Sequence, residues 1–147
     1  MTEAFYAETI KLISTVHRKT QMYLNERLHP LGLTSGLTAF VMIPCELGRI
    51  GQNKFCEILD MDKSTVAKTL MKVEEMGYVR RCPNPEDSRS FDVFPTQKAR
   101  DIYPALVRIG EDWAALLSEG MTDVERTVFH ELLRKLAHNS AAYFAAP

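Results

Sequence analysis

Apolar positions along the chain recur mostly at the three-to-four-residue spacing of helices, and only one short region changes to the character of strands. Phe5, Leu12, Ile13, Val16, Tyr23, Leu24 and Leu28 predict a first helix over about Glu3 to His29, stopped by Pro30. A second helix begins after Thr34 as N-cap and carries Leu37, Phe40, Val41, Ile43 and Leu47 before Gly48. Pro44 inside it lacks an amide proton, so a kink or an early end near Ile43 is expected. A short third helix spans about Gln52 to Leu59, and a break at Asp60-Met61 separates it from a fourth. The fourth has the clearest boundaries: Asp62 caps its first turn and Gly77 takes the left-handed position that ends it after Met76.

Two helices joined by so short a turn make a helix-turn-helix. Behind it, Tyr78-Val79-Arg80-Arg81 and Phe91-Asp92-Val93-Phe94 read as strands, with Pro83, Asn84, Pro85 and Asp87 as the turn between them. A long helix follows from Thr96 to about Ser118, with a bend expected at Pro104. The last helix starts at the capping box Thr122-x-x-Glu125 and carries Val128, Phe129, Leu132, Leu133 and Leu136. The fold class is therefore mainly α with a small β-hairpin wing: a winged helix-turn-helix part over 34–95, with helical dimerisation parts at 1–30 and 96–147. Three apolar-striped helices at the two chain ends exceed what one small winged domain needs, and a two-fold dimer is the economical use for them.

At a step of about 100° per residue, Val66, Thr69, Leu70 and Val73 of the fourth helix share the packed side. Ser64, Lys68 and Met71 fall opposite, flanked by Thr65 and Lys72, with Lys63 at the helix start. Such a face suits the major groove of double-stranded DNA: lysines reach phosphates or guanine edges, hydroxyls donate to phosphates, and a methionine meets a thymine methyl. The same composition also fits a solvated helix. On the hairpin, Arg80, Arg81 and Arg89 surround a short projecting loop, which suits a narrow minor groove, and Asp87 is placed to orient the Arg89 guanidinium.

Composition adds limits more than direction. The 147 residues, 46% hydrophobic and 25% charged, fit one ordinary domain. The net charge of −1 argues against a strongly basic surface, yet residues 49–100 carry ten basic and eight acidic groups, while 101–147 carry four and seven. No apolar run approaches the roughly 18 residues of a membrane helix, and MTEAFYAETIKL has no signal-peptide layout, so a cytoplasmic protein without membrane association is expected. Cys45, Cys56 and Cys82 are widely spaced and form no CxxC, which predicts neither a disulfide framework nor a metal site. No GxSxG, P-loop, HExxH or dinucleotide fingerprint occurs, so neither an enzyme nor a cofactor is expected.

The stretch Gln52 to Arg100 resembles the DNA-binding part of the multiple-antibiotic-resistance regulator (MarR) family. "DKSTVAKTLMKVEEMGYVRR" is similar to its recognition helix and first wing strand, and "NPEDSRSFDVFPTQKAR" to its wing and the entry to the next helix. The resemblance implies a homodimeric transcriptional regulator, a repressor, whose first and last two helices intertwine between subunits. It places Ser64, Thr65 and Lys68 at the major groove and Arg89, positioned by Asp87, in the minor groove. It also implies release from a pseudo-palindromic operator by a small aromatic or lipophilic anionic effector, with His17, Arg18, Tyr23, Cys45 and Arg49 as candidate pocket residues. The competing reading is a winged-helix module that binds another protein and no DNA.

Overall fold

The structure is a computed structural model and describes residues 2–145. Six α-helices and three short strands follow one another: α1 (Glu3–Leu28), α2 (Ser35–Leu47), β1 (Ile50–Gly51), α3 (Gln52–Leu59), α4 (Lys63–Glu75), β2 (Val79–Pro83), β3 (Phe91–Pro95), α5 (Gln97–Leu117) and α6 (Asp123–Ala145). A 3-10 turn at His29–Leu31 closes α1, one residue before the expected His29. The chain divides into two compact units, one through Trp113 and one from Ala114.

The first unit is built around a core of aromatic and branched side chains. Phe40 of α2 and Phe55 of α3 stack with ring centroids 5.3 Å apart and an interplanar angle of 7°. Val66, Leu70 and Val73, one face of α4, are completely buried beside them, as are Val41 and Val93, and Val79 nearly so. Burying each such side chain contributes about 1.5–3 kcal/mol before conformational entropy is counted. This core fixes α4 by its apolar face, so the opposite face points outward.

Local chemistry sets where each element stops. Asp60 takes a left-handed conformation (φ 50°) at the end of α3, one of the few non-glycine residue types that tolerate it, and α4 restarts three residues later. At the other end of α4, Gly77 sits at φ 81°, its amide donates to Glu74 O at 2.8 Å, and the Tyr78 amide donates to Val73 O at 3.0 Å. These two bonds are a Schellman closure, and they launch β2 directly from the helix end.

Three sequence expectations need correction. Helix α2 does not end near Ile43 but runs on to Leu47 through Pro44. Pro44 lies in the last turn, where its missing amide leaves only one helical carbonyl unserved, and its ring is fully buried in the core. The hairpin, moreover, is not the whole β structure. β1 pairs antiparallel with β3 (Ile50 with Val93, Gly51 with Asp92), giving the sheet order β1-β3-β2, and two residues are too short to show any period in sequence. Pro83, expected in the turn, is the last residue of β2, opposite Phe91. Helix α5 continues unbroken through Pro104.

The second unit holds α6, opened by the expected capping box: the Thr122 amide donates to Glu125 Oε2 at 2.8 Å and the Glu125 amide to Thr122 Oγ1 at 3.3 Å. None of its described residues is buried, and Val128, Phe129, Leu132, Leu133 and Leu136 are all exposed. Among the described residues no single helix is long and apolar enough to cross a membrane.

Candidate nucleic-acid interface

Helix α4 starts at Asp62, whose Oδ1 accepts the Thr65 amide at 2.8 Å while Oδ2 accepts the Thr65 hydroxyl at 2.6 Å. These bonds, the hydroxyl's first and the amide's next, hold the Asp62 carboxyl below its ordinary range. The cap fixes the first turn and uses up the Thr65 proton, so Thr65 offers only its oxygen lone pairs outward. Lys63, Ser64, Lys68, Met71 and Lys72 are exposed, in alternation with buried Val66, Leu70 and Val73. The outward stripe expected from the helical period is thus present, and no ion pair occupies its lysines among the described residues.

The arginines of the hairpin separate into different roles. Arg81 is corrected: its backbone amide donates to Glu74 Oε1 and its Nε to Glu74 Oε2, both at 2.8 Å, and it lies over the Phe91 ring at 5.4 Å. It locks β2 to the end of α4 instead of projecting with the loop. Partial burial raises the Glu74 carboxyl, but the Arg81 amide, side-chain hydrogen bond and charge outweigh it and leave the group lowered. Arg80 is exposed, with its guanidinium 5.3 Å from the Phe94 ring centroid. Arg89 is exposed at the tip, in no ion pair among the described residues.

Asp87 does not orient the Arg89 guanidinium as expected. Its Oδ1 accepts the Arg89 backbone amide at 3.0 Å, an Asx turn that shapes the loop and leaves the guanidinium free. Two residues that the sequence placed only in the turn and the second strand, with no role of their own, support this loop. Asn84 Oδ1 accepts the amides of Glu86 (2.8 Å) and Asp87 (3.2 Å), and its Nδ2 donates to buried Asp92. The available signal was a carboxylate inside an apolar strand, Phe91-Asp92-Val93-Phe94.

The five effector candidates are not brought into one cavity. His17 and Arg18 are exposed on α1, and the Tyr23 ring stacks on Trp113 at 4.5 Å with Arg27 over it at 5.3 Å. Cys45 is half-buried; burial raises its thiol above the usual range despite the opposing charge of Arg100. Arg49 pairs with Asp92 at 2.6 Å. A different groove of about 320 Å³ lies between the end of α1 and α5, bounded by Arg27, Pro30, Leu31, Arg108, Ile109 and Asp112. No cluster of three or more His, Cys, Asp or Glu side chains suited to a metal occurs among the described residues.

Comparison with known proteins agrees with this architecture. Residues 43–91 match the MarR family. The chain is 26% identical to the HTH-type transcriptional regulator YybA of Bacillus subtilis, over 90% of its own length and 88% of that protein. Its fold superposes with TM-score 0.84 on a MarR transcriptional regulator from Methanosarcina mazei, at 28% identity, covering 93% of this chain and 99% of that one. It also superposes with TM-score 0.84 on a MarR family transcriptional regulator from Listeria monocytogenes complexed with 26mer DNA, at 26% identity, covering 90% and 89%. The capped fourth helix and its wing thus share the architecture of the winged helix-turn-helix transcriptional regulators of the MarR family, which the chain resembles in both sequence and fold.

Proposed function

We propose that the protein is a homodimeric repressor that binds a pseudo-palindromic operator, α4 in the major groove and the wing tip in the minor groove. The observation that carries this reading is the exposed stripe Lys63, Ser64, Lys68, Met71 and Lys72 on a helix whose apolar face is locked, next to a loop that presents an unpaired Arg89. The lysines supply phosphate contacts, Ser64 and Met71 supply base-edge contacts, and Arg89 supplies the narrow-groove contact. Paired helices in a two-fold dimer meet half-sites about 34–36 Å apart, one helical turn of DNA. The parts over 1–30 and 96–147 provide the dimer contacts, and the complex similarity to a DNA-bound Listeria protein supports the DNA reading.

Selection of bound genomic fragments followed by titration tests it. Affinity for the selected duplex falls by about 10³–10⁵ between 50 and 200 mM salt if 6–10 phosphates are contacted. Arg89→Ala weakens binding to that duplex without changing the oligomeric state. A chain that shows no salt-dependent DNA binding, but captures a protein partner, is instead the protein-binding module. Release by a small lipophilic anion is supported by the groove in which Arg27 and Arg108 stand beside Pro30, Leu31 and Ile109. An aromatic carboxylate that lowers operator affinity in the wild type and leaves Arg108→Ala unaffected meets that expectation.

A further inference from the structure

Among the described residues, Asp92 is the one charged side chain in the buried core, 4% exposed at the centre of the three-stranded sheet. A carboxylate removed from water in this way is retained only with partners for both oxygens. Oδ2 accepts Arg49 Nη2 at 2.6 Å and Oδ1 accepts Asn84 Nδ2 at 3.2 Å. Arg49 comes from the link between α2 and β1, whereas Asn84 begins the wing loop, so one carboxylate ties the root of the sheet to the base of the tip.

From Asn84 the connection continues outward. Its Oδ1 receives the amides of Glu86 and Asp87, Asp87 Oδ1 receives the amide of Arg89, and Ser90 closes the loop through its amide onto Asp87 O at 3.0 Å. Asn84 in turn donates its own amide to Ser90 O at 2.9 Å. Every step is a directed bond to a backbone group, so the path of the loop, and with it the direction in which Arg89 leaves, depends on where Asn84 is held.

The geometry points to Arg49, Asp92 and Asn84 as positioning residues for the wing: a buried clamp that sets the loop and delivers Arg89 to DNA. This rests on the DNA-binding reading for its function but not for its structure. It also gives Arg49 a role other than effector recognition: its guanidinium lies against the sheet, with its side chain 56% exposed.

Arg49→Ala and Asn84→Ala, combined singly with Arg89→Ala, test the clamp by operator titration and by amide hydrogen exchange on the free protein. Each single variant is expected to weaken binding about tenfold, the scale of one or two lost ordering hydrogen bonds. In the Arg89→Ala background the same substitutions are expected to add almost nothing, because they act through Arg89. The Glu86 and Asp87 amides exchange faster in Arg49→Ala as well as in Asn84→Ala, and the salt slope of Arg49→Ala stays that of the parent. If Arg49 instead touches phosphate, its loss adds to that of Arg89 and the salt slope falls by about one, which overturns the proposal. Unchanged exchange in Arg49→Ala overturns it too. Should the wild type fail to bind DNA, the DNA reading falls while the exchange experiment still decides whether the clamp holds the loop.

Discussion

At the residue scale, the Glu74 carboxylate joins the last turn of α4 to the first strand of the wing through two bonds from Arg81. Because Arg81 lowers the folded-state value of Glu74, the carboxylate contributes stability above the ordinary glutamate range and loses it as pH falls through the lowered value. Glu74→Gln therefore destabilises the protein at neutral pH, by about 1–2 kcal/mol for the weakened bonds. Urea midpoints measured for parent and variant from pH 8 to 3 check the sign. The gap stays constant above the ordinary glutamate range and narrows below it, closing as pH falls through the lowered value, where the parental glutamate also becomes neutral. A gap as wide at pH 3 as at pH 7 sinks the assignment. Asp62 and Glu125 are lowered as well, by bonds from Thr65 and Thr122, but both are common to the two proteins and cancel in the difference.

At the element scale, Gly77 links helix to hairpin. A β-carbon there meets only Lys98 Cδ at 3.8 Å, ordinary contact, so the strain of Gly77→Ala lies in the backbone at φ 81°. A left-handed alanine costs about 1–2 kcal/mol, and the Tyr78 amide that depends on the turn is the same one that starts β2. Thermal unfolding that shows no destabilisation shows that the helix end is not held by this turn. The ends of α4 were legible in the sequence because their signals are local: an Asp that reaches its own third helical residue and a glycine at the left-handed position. What was not legible depends on contacts across the chain. β1 has only two residues and exists through β3, Pro44 is tolerated because the core receives its ring, and Arg81 looked like part of a basic loop until Glu74, seven residues earlier, was found opposite it. The exposed polar face of α4 was readable from period alone. The wing support was not, since Asn84, Asp92 and Arg49 meet only after the sheet has formed.

At the scale of the whole molecule, a net charge of −1 has to be reconciled with DNA binding. Many acids of residues 49–100 are already engaged: Glu57 bonds Lys54, Glu74 bonds Arg81, buried Asp92 bonds Arg49, and Asp62 and Asp87 bond backbone amides. Lys63, Lys68, Lys72, Arg80 and Arg89 form no ion pair among the described residues, so the accessible charge of the helix and wing is more positive than the total. A footprint so small gains from being doubled. The apolar side chains of α6 offer the means, because Val128, Phe129, Leu132, Leu133 and Leu136 are 43–52% exposed on successive turns, more than a lone helix leaves in water without a partner. Exposed Phe5, Ile10, Ile13 and Val16 form a similar set on α1. A second copy of the chain supplies the cover in the proposed dimer, and Val128→Glu with Leu132→Glu places charges in that contact. Sedimentation equilibrium then finds a monomer where the parent is a dimer, and operator affinity drops by about 10²–10⁴ as two linked half-site contacts become independent. A parent that remains monomeric at tens of micromolar, or a doubly charged variant that sediments as a dimer, removes α6 from the interface and leaves the paired-helix reading without its scaffold.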